Sequence, residues 1–178
     1  MSDCYINDGI NIEGCYKGTG GIIEVYIANK ENVTAIEPTK DTDDTGIVTG
    51  ITQTSLTYFQ VFKPNKVSSM WEETIESEVA NGAIQYNQSI NLVFSKTEAA
   101  KRNIIKLLGL SDLIAIVKDF NNKYWILGEQ NGLDLTEGTI GSGVSGTDLN
   151  GYNITLSGPC NQPAREVSAD IIDDLFES

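Results

Sequence analysis

The chain contains no histidine. Histidine is the side chain that titrates near neutral pH and the commonest zinc ligand. Its absence excludes Ser-His-Asp and Cys-His catalysis and histidine-based metal centres together. Basic residues are also scarce: 12 Lys and Arg face 25 Asp and Glu in 178 residues, a formal charge of −13. That balance opposes wrapping nucleic acid through its phosphates and adhering to anionic membranes, because like charges repel. Cysteine occurs only as Cys4, Cys15 and Cys160. An odd number with no C-x-x-C spacing indicates neither a disulfide framework nor a metal knuckle. No apolar run approaches the ~20 residues of a membrane span. The opening MSDCYINDGINIEG lacks the basic and apolar regions of a secretory signal. These absences predict reduced thiols, a chain made in a cytoplasm, no metal, no cofactor and no membrane partner. The sequons at Asn32, Asn87 and Asn153 then have no glycan to accept.

What is present is a core's worth of apolar residues, 40% of the chain, and strand-like alternation. The length fits one domain over residues 1–178, with an N-terminal arm at 1–18 and an acidic C-terminal tail at 166–178. The strongest pattern runs from Val67 to Val79 and from Ile84 to Phe94, two arms joined at Asn81-Gly82. Asn-Gly is the dipeptide suited to positive φ at both centres of a type I′ hairpin turn. Ile84, Tyr86, Gln88, Ile90, Leu92 and Phe94 share one face, and Gln85, Asn87, Ser89 and Asn91 the other. Thirteen residues in the first arm extend ~43 Å at ~3.3 Å each. A compact chain of this size has a radius of gyration of about 16 Å. The hairpin therefore spans the domain or projects from it.

Ser95-Lys96-Thr97-Glu98 fits a capping box with Ser95 as N-cap. It precedes a helix whose apolar face is Ala100, Ile104, Leu107 and Leu108, closed by Gly109. Further strands are expected at 22–28, 47–52, 56–63, 113–120, 123–127 and 152–157. About eight strands and one helix make the chain mainly β, as a barrel or sandwich around the central hairpin. The stretch from Gly128 to Gly151 is glycine-rich and longer than ordinary structureless loops. It is either a functional loop, a segment ordered by a partner, or the carrier of a short strand at Gly132-Leu133-Asp134-Leu135.

Several motifs have sharp and bland readings. Gly141-Ser142-Gly143-Val144-Ser145-Gly146 spells G-x-G-x-x-G, but no helix follows to meet a pyrophosphate, so a loop is expected. Asp41, Asp43 and Gly46 imitate the start of a calcium loop, yet Thr52 stands where a bidentate Glu belongs. Glu72, Glu76 and Glu78 point to one strand face. They read as a solvated face or as the acidic wall of a channel, and only weakly as a catalytic carboxylate set. Lys101, Arg102 and Lys106, with Lys96, gather a third of the basic residues around the helix. They are either plain helix surface or a patch that meets acidic residues of a neighbouring copy, with Asp173 and Asp174 of the tail as partners.

This arrangement of a long central hairpin, one helix after it and further strands resembles the tail-tube fold. That fold is shared by tail-tube, terminator and connector-ring proteins of tailed bacteriophages and by tubes of contractile injection systems. Gly20-Gly21-Ile22-Ile23-Glu24-Val25-Tyr26-Ile27-Ala28-Asn29 is similar to stretches of virion proteins from phages of Bacteroides-type bacteria, the crAss-like group among them. So are Tyr124-Trp125-Ile126-Leu127-Gly128 and the run Asn150-Gly151-Tyr152-Asn153-Ile154-Thr155-Leu156. The resemblance implies a structural, non-enzymatic virion protein, assembled in the host cytoplasm as a homo-oligomeric ring of the tail or head–tail connector. Its partners are copies of itself and adjacent tail or connector proteins, and DNA passes through the lumen without specific binding. On that reading Glu72, Glu76 and Glu78 face the channel. Asn81, Gly82, Lys101, Arg102, Lys106, Asp173 and Asp174 lie at subunit interfaces, and Gly138, Gly141, Gly143 and Gly146 form an inter-ring loop. The alternative is a soluble β-sandwich binding module for a receptor or a carbohydrate.

Overall fold

The structure, a computed structural model, describes residues 18–38, 46–54 and 58–176. Residues 1–17 of the arm expected at 1–18, and the aspartates of the calcium-like segment, lie outside the described residues. The chain is mainly β, with one α-helix and eleven strands among those residues. In order they are β1 Ile22–Asn29, β2 Val33–Pro38, β3 Val48–Gln53, β4 Gln60–Phe62, β5 Met70–Glu78, β6 Ala83–Ser95, α1 Ala99–Leu108, β7 Leu113–Asp119, β8 Tyr124–Leu127, β9 Asp134–Gly141, β10 Gly151–Cys160 and β11 Arg165–Val167.

The strands form two open sheets. Sheet A runs β2-β3-β11-β8-β7-β1-β4 and sheet B runs β5-β6-β10-β9. Alternation decides how they meet. Val25, Ile27, Ala115 and Val117 on one face of sheet A pack with Ile90, Leu92, Ile154 and Leu156 of sheet B in a shared core. The other face of sheet A carries Tyr26, Ile114, Ile116 and Ile126. It is covered by short 3-10 turns at Ala169–Ile171 and Asp173–Leu175, which bury Ile172 and Leu175. β1 and β7 are therefore apolar on both faces, as central strands must be.

Several expectations are corrected. Within the acidic segment from 166 onward, Glu166 and Val167 belong to β11, and Ile171, Ile172, Leu175 and Phe176 dock on this core. β5 has nine residues, because Lys66, Val67 and Ser68 form a turn in which the Val67 amide donates to Asn65 Oδ1. The hairpin closes through four residues, Val79 to Gly82, rather than a two-residue I′ turn. Gly82 takes φ 63° but Asn81 does not reach positive φ, the pattern of longer hairpin loops. Ser95 ends β6 opposite Gly151 instead of capping the helix, and Glu98 takes the N-cap position. Gly109 closes the helix with φ −79°, so no left-handed cap is used. α1 packs through Ile105 and Leu108, leaving Ile104 and Leu107 44% and 56% exposed.

Of the readings open for Gly128 to Gly151, the strand is the one present, and it runs beyond Leu135 to Gly141. Gly138 and Gly141 are in strand β9, paired with Ile154 and Gly151 of β10. Composition hid this strand because glycine has weak intrinsic preference for extended structure, while β10 supplies the ladder. Gly151 itself is required by contact: a Cβ there would stand 2.0 Å from the Phe94 carbonyl oxygen.

Candidate functional site

Sheet B has one face in the core and one face open. On β5, Glu72, Thr74, Glu76 and Glu78 pair with Ser89, Asn87, Gln85 and Ala83 of β6. Asn91 pairs with Thr155 of β10, and β9 adds Glu137 and Thr139. The amides bind one another along this face. Asn91 Nδ2 donates to Asn153 Oδ1 at 2.8 Å and Thr155 Oγ1 at 3.3 Å, and Gln85 Nε2 donates to Asn87 Oδ1 at 2.7 Å. Glu72, Glu76 and Glu78 thus share one exposed face, as their spacing requires, over about 20 Å. None of the paired positions named on this face is aromatic. A small-ligand site is concave and lined by apolar and aromatic groups, so this flat polar surface does not favour the carbohydrate-binding alternative.

The base of the hairpin is fastened by a buried polar cluster that sequence reading did not assemble. Gln88, 2% exposed, sits on the apolar face of β6. Its Nε2 donates to Glu73 Oε2 at 3.0 Å, and its Oε1 accepts from the Gly128 amide at 2.9 Å and the Cys160 thiol at 3.2 Å. Glu73 also accepts from the Ala164 amide at 2.7 Å. Burial raises the Cys160 thiol above its ordinary range. Gln88 among Tyr86, Ile90 and Leu92 was the available signal: an amide on a core face needs partners.

Beyond this anchor the hairpin leaves the body. From Thr74↔Asn87 to Glu78↔Ala83 the pairing continues, while Ile75, Ile84 and Val79 are 64%, 56% and 88% exposed. The arm projects about 15 Å, with a glutamate-bearing face and a face carrying Ile75 and Ile84. Asn81 and Gly82 form its exposed tip. β5 and β9 are the outer strands of sheet B, each with one unpaired edge among the described strands.

The remaining expected interface residues are not brought together. Lys101 is partly engaged at the helix start, donating to the Ser95 and Lys96 carbonyls at 2.9 and 3.3 Å and pairing with Glu98 at 3.5 Å. Arg102 and Lys106 are exposed on α1. Asp173 and Asp174 are exposed on the turn that covers the far face of sheet A, whereas α1 packs into the core between the sheets. Gly143 and Gly146 lie in the exposed turn between β9 and β10. Asp148 braces that turn, with Oδ2 accepting from the Val144 and Ser145 amides at 2.9 and 2.8 Å. Those amide bonds hold its carboxyl below the usual range. The G-x-G-x-x-G sequence therefore joins two antiparallel strands and opens no helix.

Among the described residues no cluster of three or more His, Cys, Asp or Glu side chains is placed to hold a metal. None of the helices there is long and apolar enough to cross a membrane. No family model, curated protein or solved structure matches the chain.

Proposed function

We propose that this chain is a structural ring subunit of the tail or head–tail connector of a tailed bacteriophage, without enzymatic activity. It works in the virion after assembly in the host cytoplasm. Its partners are further copies and adjacent tail or connector proteins, and the DNA in the lumen is not specifically bound. The observation that carries this reading is sheet B: two edges of similar length, unpaired among the described strands, flank a largely polar, glutamate-striped outer face on which Met70 is the one large exposed apolar side chain. In a ring, β9 of one copy pairs with β5 of the next. Such pairing removes exposed strand edges, which otherwise recruit aggregation. The outer faces then join into one inner wall that repeats Glu72, Glu76 and Glu78 in every copy. A wall of that sign repels phosphate, so DNA slides without adhering.

The test is the mass of the purified chain by light scattering, with negative-stain electron microscopy. Annular particles with a central hole are expected, and a chain shortened across Ile75 to Gln85 should form them far less readily. A stable monomer at all concentrations would remove the ring and favour the binding-module reading.

A further inference from the structure

The dipeptide Asn-Gly occurs three times, as Asn81-Gly82, Asn131-Gly132 and Asn150-Gly151. In this dipeptide a backbone amide readily attacks the preceding side chain, because glycine has no Cβ to obstruct the approach. The attacking atom is the glycine nitrogen and the target is the asparagine Cγ. Both must be free to meet, so the fold decides which pair reacts.

Two of the pairs are held. Gly132 is buried, its amide donates to the Gly128 carbonyl at 3.0 Å, and Asn131 Nδ2 donates to the Pro159 carbonyl at 2.7 Å. Gly151 is buried in β10 between Ser95 and Gly141. Asn150 is fixed twice, its Oδ1 accepting from Thr97 Oγ1 at 3.1 Å and its carbonyl from the Lys96 amide at 2.7 Å. The third pair is different. Asn81 and Gly82 are both exposed at the arm tip. The Asn81 side chain has no hydrogen-bond partner among the described residues, and the Gly82 amide makes one long bond, to the Val79 carbonyl at 3.4 Å. Nothing packs on this turn: a Cβ at Gly82 would meet no atom within 4 Å.

We infer that Asn81-Gly82 is a self-modification site, where the arm tip converts with time from an amide to a carboxylate while the fold protects the other two pairs. The Gly82 nitrogen gives its proton to solvent and bonds to Asn81 Cγ. The Cγ–Nδ2 bond breaks, ammonia leaves, and a five-membered imide closes. Water then opens the ring. Cleavage at Cγ leaves aspartate. Cleavage at the main-chain carbonyl leaves isoaspartate, whose backbone runs through Cβ and Cγ. Either product adds one negative charge near Glu76 and Glu78, on an arm with no Lys or Arg between Lys66 and Lys96 to offset it. Isoaspartate also lengthens the turn by one methylene. The inference holds for the free chain and does not rest on the ring reading.

The test follows the full chain at mildly alkaline pH, folded and dilute in one sample and denatured in urea in another. Peptide mass spectrometry locates the products, and an isoaspartyl methyltransferase labels isoaspartate. In urea the three pairs should react at comparable rates. In the folded chain position 81 should react about ten-fold or more faster than 131 and 150, which must first open locally. Asn81→Gln should abolish the product at 81, since the longer side chain closes a six-membered ring slowly, and should leave hydrogen exchange along β6 unchanged. An Asn81 that stays intact in the folded chain overturns the proposal. So does position 131 or 150 keeping pace with 81 there, or an isoaspartate label at full strength in Asn81→Gln.

Discussion

The two sheets are built from similar strands but use their faces differently. The central strands of sheet A are buried on both sides, by sheet B on one and by the C-terminal turns on the other. Sheet B is buried on one side only, and its other face is mostly an amide, hydroxyl and carboxylate surface, with Met70 exposed among them. In sheet A side chains are chosen for packing, so nearly every change is felt as stability. On the open face of sheet B they are free of packing, so their chemistry is available for contact with something else. The hairpin carries that contrast to its limit, since beyond Tyr86, the last residue of β6 paired with β10, both of its faces are exposed.

The sharpest way to break the comparison is to cut into each sheet. Ile116→Ala, on the central strand of sheet A, should cost about 2–5 kcal/mol in chemical denaturation. A smaller cost there would mean the C-terminal turns do not seal that face. Next is the anchor of the hairpin. Gln88→Ala leaves the Gly128 amide unpaired and should cost about 1–3 kcal/mol, together with faster hydrogen exchange at Gly128. Unchanged exchange would detach the cluster from the stability of the hairpin base.

A pH titration separates the covered face from the open one more gently. Burial, followed by the hydrogen bond to Glu24 at 2.8 Å, holds the Tyr26 phenol above its ordinary 10.0. The unfolded chain therefore loses this proton first as pH rises, and above about pH 10 the folded chain binds more protons. Stability should fall there with increasing pH, and Tyr26→Phe should remove that part of the decline. The same bond, helped by the Lys63 ammonium at 3.2 Å, holds Glu24 below its ordinary 4.5. Its contribution is present above that pH and is lost as pH falls through the depressed value. The smallest stability effect is expected for Glu72→Gln, Glu76→Gln and Glu78→Gln combined, within about 0.5 kcal/mol of the parent. A large loss would show that the stripe holds the fold together rather than serving its surface.

Much of this was legible where period-two alternation was strong. The two arms, the single helix and the shared face of Glu72, Glu76 and Glu78 followed from spacing alone. What the sequence hid depended on partners distant along the chain. The sequence suggests at most a short strand ending at Leu135 where β9 runs on to Gly141, its glycines held by β10. β11 is three residues long and exists because β8 and β3 flank it. The box at Ser95 to Glu98 was outcompeted by the pairing of Ser95 with Gly151. The buried cluster of Glu73, Gln88, Cys160 and the Gly128 amide joins four separate segments, and only Gln88 gave local notice of it.

One feature of sheet B bears on counting. It has four strands, each antiparallel to its neighbours, so its two outer strands run in opposite directions. An odd number would make the outer strands run the same way, and every junction between repeats would then be a parallel pair. With an even number, each junction is antiparallel like those within the sheet, whether six repeats close the circle or twelve. Strand polarity therefore would impose no arithmetic on a ring closed through these edges. The circumference of such a ring would be left to the curvature of the sheet and the angle set at each edge.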